Sequence, residues 1–309
     1  MSATTIPSPT DVGALANRIN FHTRDSHNKI NADMSVKLAF AMKHGHIYRQ
    51  GILAFYYIFA AVEQEIDNLL QNASTPLELQ TQKILNQFWC EEFRRSNMIF
   101  QDLELLYSKE YSTRTELHAF LDDNVLPPQQ QAFVEYIHQT VREEPYTILA
   151  YCHVLYLALF AGGKLMKSNI YRHTGLFPKF QHLTPEEIVR RGTNFFTFSE
   201  EGADAEGKLR WEYKKGYELA TRKELTEEQK QEIIKVSSEI FDWNMDVIGE
   251  LGEINRNELM GKFSFKLVSF ILEEWKYSEK LSKENKITIL VIFAILQFLL
   301  AYWLLRKLF

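Results

Sequence analysis

Cysteine is nearly absent from the 309-residue chain. Cys90 and Cys152 are the only two, too few for a disulfide framework and without metal-ligand spacing. A reducing compartment suits such a chain. A basic excess is missing as well: 35 Lys and Arg stand against 40 Asp and Glu, a net charge of −5, so no nucleic-acid partner is implied. The N-terminal MSATTIPSPTDVGALANRINF lacks a basic segment leading into a long apolar one, and no signal peptide is read there. Glycine and proline are scarce within the periodic segments, and no strand-period run is longer than NFFTF at 194–198. There is no internal repeat and no low-complexity tract. These absences leave an all-α protein.

With 46% hydrophobic residues the chain can bury a sizeable core. Apolar periodicity predicts helices over 11–31, 34–43, 46–71, 78–107, 113–123, 128–142, 145–168, 184–191, 207–220 and 226–273, the last broken around Gly249 to Gly261. Breaks fall at NASTP (72–76), LPP (126–128), TGLFP (174–178) and SEEGADAEG (199–207). The reading divides the chain into a flexible stretch 1–10, one multi-helix domain 11–275, a polar linker KYSEKLSKENK to residue 286, and a membrane segment 287–305.

That last segment, ITILVIFAILQFLLAYWLL, carries no charge. At about 1.5 Å per residue it reaches roughly 28 Å, the span of a hydrocarbon core. Lys286 precedes it, Arg306 and Lys307 follow, and Tyr302 and Trp303 sit where interfacial aromatics belong. The expectation is a tail anchor in the endoplasmic reticulum, the favoured membrane for a short span, with the domain in the cytosol; a buried core helix is the alternative. Residues 145–163 are also uncharged, but contain His153, three tyrosines and the pair Gly162–Gly163. They are read as a central buried helix in preference to a second span.

That glycine pair poses a question, because each glycine costs a helix interior about 1 kcal/mol relative to alanine. Something must lie close to that backbone, whether a ligand or a tightly packed helix. Of the nine histidines, His44, His46, His173 and His182 read as surface residues. His22 shares a helical face with Arg18, Asp25, Ser26 and Lys29, a solvated face. His27 shares its face with Asn20, Thr23 and Ile30, flanked by Leu15, Ile19 and Met34. Such a histidine can be a ligand or a core residue.

Here the residues carry a resemblance. Leu15-x3-Ile19-x3-Thr23-x3-His27 resembles the proximal helix of haem oxygenases, and YLALFAGGK (156–164) resembles their glycine-rich distal helix. FAAVEQEI (59–66), TNFFTF (193–198) and FDWNMDVIGEL (241–251) match further family segments in the same order, and the likeness covers about residues 11–255. It is nearest to the yeast-type fungal members with a C-terminal anchor. The resemblance implies that His27 is the iron ligand, a neutral imidazole. It places Gly162, Gly163, Ala158, Leu159 and Asn244 at catalytic positions, and His153, Arg210, Lys214 and Phe241 at haem-binding ones. Arg210 and Lys214 lie four apart on one face, as the propionates would want. A charged surface helix is the alternative for that pair. Phe195 and Phe241 are candidate pocket walls. Haem is then both cofactor and substrate, consumed with O2 and electrons from NADPH–cytochrome P450 reductase to give biliverdin, iron and CO.

The chain also departs from the family. The distal aspartate that orders proton-delivering water is Leu159, and the neighbouring glycine is Ala158. The arginine and tyrosine of the same polar network are Leu155 and Phe59, and only Asn244 survives. The usual propionate tyrosine is His153, and an N-terminal lysine contact is Asn20. A dry distal side cannot anchor the same water chain. The expected activity is therefore haem oxygenase, with three rivals: a membrane-tethered haem sensor or buffer, a peroxidase-like haemoprotein, and a helical adaptor without haem. The tail-anchored topology makes one prediction. The acceptor pattern NAS at Asn72 is expected to stay bare, so N-glycosidase should leave the mobility of the expressed chain unchanged; a downward shift would overturn the topology.

Overall fold

Three helices begin in the same way. Thr75, Thr113 and Thr184 each accept the N–H of a glutamate three residues on, and Glu78, Glu116 and Glu187 reach back to the threonine N–H. The N–H groups of Thr75 and Ser74 hold the Glu78 carboxyl down at about 2. Pro76 and Pro185 supply the first helical residue at two of these sites.

The computed structural model describes residues 7, 8, 10–28, 44–172, 174–199 and 201–260. The expected helix 34–43, the linker and the membrane segment lie outside them. The chain divides into two compact units, residues 1–253 and 254–309. In the first unit the order is α1 (Leu15–His22), α2 (Gly45–Asn72), α3 (Pro76–Leu85), α4 (Ser96–Leu106), α5 (Arg114–Asp123), α6 (Pro128–Glu143), α7 (Ile148–Tyr151), a π turn (Cys152–Tyr156), α8 (Leu157–Tyr171), α9 (Pro185–Arg191), α10 (Ala203–Glu224) and α11 (Glu227–Ile254), whose last residue reaches the second unit. The described part of the second unit holds α12 (Arg256–Met260). No strand occurs among the described residues, and NFFTF forms a 3-10 turn over Asn194–Phe196. No described helix is long and apolar enough to cross a membrane. Residues 148–152 are completely buried, as a central helix should be.

α2 is the axis of the first unit. Ile52, Ile58, Val62 and Ile66 are buried along it, and it packs on α4 and α6. The sequence predicts one helix over 78–107, but the structure breaks it between Leu85 and Ser96. The cause comes from α2. The buried Glu63 carboxylate accepts the N–H groups of Arg95 and Ser96 and the Ser96 hydroxyl, capping α4 from outside. The expected break near Gly249 to Gly261 falls at Asn255, and α11 runs on through Gly249 and Gly252.

Two buried charges hold the NFFTF turn. Arg95 donates to the carbonyls of Phe93 (3.0 Å), Glu92 (2.7 Å) and Thr197 (2.7 Å) and lies 4.1 Å over the Phe198 ring. Burial pulls it down to about 10, so it stays protonated at neutral pH. Asp102 accepts the N–H groups of Asn194 (2.8 Å) and Phe195 (2.9 Å) and the Asn194 side-chain amide (2.9 Å). Burial pushes its carboxyl up to about 7 against those donors.

Helix packing is tight enough to dictate glycine at Gly216 of α10. A Cβ there would stand 2.7 Å from the Phe88 Cβ and 2.9 Å from the Gln87 carbonyl oxygen. At Gly51 of α2 a Cβ would meet nothing within 4 Å. Gly216→Ala should therefore lose about 1–3 kcal/mol, and Gly51→Ala should gain about 0.5–1 kcal/mol, both measured by urea unfolding. Equal effects would refute the packing argument.

Candidate functional site

α1 buries Leu15, Ala16 and Ile19 and is tied down at its edges. Arg222 bridges Asp11 and Glu218, each at 2.6 Å, and Arg18 meets Glu227 at 2.8 Å. Thr23 is buried and returns its hydroxyl to the Ile19 carbonyl (2.8 Å), which ends α1. Helical bonding then resumes from the His27 N–H to the Thr23 carbonyl (2.8 Å). His27 is exposed, its ring edge-on to Phe241 with centroids 6.1 Å apart. His22 points to solvent beside Phe21.

The helix expected over 145–168 is three pieces. α7 is fully buried, and the backbone then slips into π register over Cys152–Tyr156 before α8 resumes. Two tyrosines of α10 donate to carbonyls at this slip: Tyr213 to that of Cys152 (2.8 Å), and Tyr217 to that of Leu149 (3.0 Å), which also accepts the Cys152 N–H. Tyr156, on the turn itself, donates to Glu63 (3.0 Å). The register slip lies ahead of the glycines, and α8 is regular through both. A tyrosine pair at i, i+4 on α10 was the signal for this support, one that reads in the sequence as ordinary core.

The two glycines do different work. Gly163 is buried, and a Cβ there would lie 3.4 Å from the Phe196 carbonyl oxygen, so it serves close packing on NFFTF. At Gly162 a Cβ would meet nothing within 4 Å. Ala158, one turn earlier on the same face, is exposed. This stretch of α8 therefore presents backbone and one methyl group to open space. Leu159 is half-buried and shares a small cavity with Arg210. Phe59 and Leu155 are core residues, the former packed on Tyr156 (5.2 Å) and Phe195 (5.3 Å). Phe195 is buried in that core too.

Asn20 and His153, unrelated in sequence, meet. His153 is 3% exposed, and its Nε2 lies 3.1 Å from the Asn20 Oδ1. The imidazole then donates from Nε2, and its buried Nδ1 has no partner among the described residues. Burial, helped by the Lys214 charge, drives His153 down to about 3, so it is neutral. Burial and Arg210 likewise lower Lys214. Both α10 cations are exposed. Asn244 is half-buried and spends its amide N–H on the Ile240 carbonyl (2.7 Å) of its own helix.

The sequence model of the family described as Heme oxygenase matches residues 13–250, and the chain belongs to that family. It is 56% identical to Heme-binding protein HMX1 of Saccharomyces cerevisiae over 99% of this chain and 97% of that protein. It is 24% identical to the heme oxygenase of Rhodella violacea over 72% of this chain and 80% of that one. The fold matches heme oxygenase-2 of Synechocystis sp. PCC 6803, solved with heme and NO, at a TM-score of 0.62 and 19% identity, covering 82% of this chain and 91% of that one.

The neutral His153 carries a stability signature. Its folded value of about 3 lies below the ordinary 6.5, so its contribution is complete above pH 6.5 and is lost as pH falls toward 3. Between pH 6.5 and 4.5 the loss should approach about 1.4 kcal/mol per pH unit. His153→Phe should flatten that slope in urea unfolding; an unchanged slope would mean the imidazole is solvated.

Proposed function

We propose that the chain is a haem oxygenase whose substrate lies between His27 and the Ala158–Gly162 face of α8. The observation that carries this is Gly162. Its missing side chain serves no packing among the described residues, yet it sits in a helix interior where alanine would be more stable by about 1 kcal/mol. A flat macrocycle needs such bare backbone beside it. The rest of the site fits a porphyrin: an accessible imidazole at His27 with Phe241 at its edge, and Arg210 and Lys214 exposed one turn apart for two carboxylates.

Haem, when bound, supplies the iron at which O2 is reduced and the ring that is opened, giving biliverdin, ferrous iron and CO. The protein contributes position and dryness. His27 holds the substrate from one side, α8 limits it on the other, and the α10 cations fix its acidic edge. The π turn, pinned by Tyr213 and Tyr217, keeps α8 in place. Electrons would come from NADPH–cytochrome P450 reductase. The apolar segment 287–305 would anchor the chain beside that partner in the endoplasmic reticulum membrane.

A second reading, a haem-binding protein without ring opening, has its own support. The two positions where the family carries an arginine and a tyrosine are the buried Leu155 and Phe59, and the yeast relative is named for haem binding. One experiment separates the two. The full chain in detergent, loaded with haemin and given NADPH and reductase, should lose its Soret band as a bilin absorbance grows; a stable band under turnover conditions would favour the second reading. His27→Ala should weaken haemin binding by more than about 100-fold, since even outer-shell partners of a ligand are worth ~10–100-fold. Unchanged affinity and spectrum would overturn both.

A further inference from the structure

The small cavity beside Leu159 is not wholly apolar. Leu159, Phe160, Phe196 and Phe198 form one part of its wall, and Glu206 and Arg210 complete it from α10. Its volume is about 40 Å3, and a water needs only ~10–15 Å3 and two to four polar partners. The two charged side chains lie one helical turn apart on one face of α10 and meet that lower limit.

Glu206 is placed there by the backbone. Gly202, at φ 101, takes a left-handed conformation that a side chain would resist, and α10 starts immediately after it. The first turn then returns toward NFFTF, and Glu206 accepts the Phe198 N–H at 3.2 Å. That bond engages one carboxylate oxygen, and a carboxylate has about four acceptor sites in all. Arg95, stacked beneath Phe198, also feels the Glu206 charge. Among the described residues, the charged groups lining the cavity are Glu206 and Arg210, and Arg95 lies behind Phe198.

We propose that Glu206 is a positioning residue that holds ordered water on the α8 side of the haem cleft. From α10 it supplies the polar group that Leu159 does not supply from α8. The inference rests on the reading that haem binds in this cleft. It gives the oxygenase reading a water site despite a dry core, since the water is anchored by Glu206 and Arg210 and needs no polar residue at 59, 155 or 159.

The test uses the full chain in detergent, loaded with haemin, and follows the acid–alkaline transition of its visible spectrum. Glu206→Gln keeps a carbonyl oxygen for the Phe198 N–H but removes the charge. Its transition midpoint should fall by about half to one pH unit, because a nearby anion disfavours deprotonation. Arg210→Gln should move the midpoint upward, and it remains informative should Glu206→Gln fail to fold. Haemin uptake with both midpoints unmoved would overturn the proposal alone, leaving Glu206 a cap for Phe198. Failure of the wild-type chain to take up haemin would overturn the cleft reading, and this proposal with it.

Discussion

The face that α8 presents depends on one departure from helical register. Over Cys152–Tyr156 the backbone winds in one residue more than an α turn holds. With 3.6 residues per turn, one inserted residue rotates the following helix by about 100°. Without it the place of Ala158 on the open face of α8 would pass to Leu157, replacing a methyl group with a leucine. Tyr213 and Tyr217 hold the slip from outside with hydrogen bonds of 2.8 and 3.0 Å to its carbonyls. The helix that carries the exposed cations thus also steadies the register of α8.

The same turn is coupled to the opposite wall. Tyr156 donates to Glu63, which also caps α4. α4 carries Asp102, and Arg95 stands just before it; together the two hold NFFTF against Gly163. Buried charges of this kind are weak evidence for stability, because desolvation offsets much of their attraction. Here they fix where irregular backbone lies, a task apolar packing alone does poorly because it has no direction.

Much of the helical frame was legible in the sequence. Thr-x-x-Glu boxes and prolines mark starts, and NASTP and LPP mark breaks, because these residues act on the backbone beside them. The break between Leu85 and Ser96 has no such marker: NQFWCEEFRR contains neither glycine nor proline, and its cause is a carboxylate on another helix. The π turn was invisible for a different reason. Residues 145–163 carry no charge, and Thr147, His153 and the three tyrosines among them are as buried as their apolar neighbours, so no solvated face marks where the phase shifts. Asn20 and His153 read as two separate departures from the family, yet they are partners 3.1 Å apart, a pairing that only folding reveals. The glycine pair was legible as a demand for space; that one glycine answers to NFFTF while the other meets no described neighbour was not.

The apolar replacements near the cleft form a consistent set. Phe59 and Leu155 join a continuous core with Tyr156 and Phe195. The nearest polar group in that core, Glu63, has acceptors filled by Arg95, Ser96 and Tyr156. A carboxylate whose lone pairs are all engaged is a structural fixture, and through Tyr156 it ties α4 to the π turn. His153, also buried, is kept neutral by that burial. The charged side chains beside Leu159, Glu206 and Arg210, both come from α10, so the polarity of that edge is a property of α10 as much as of α8.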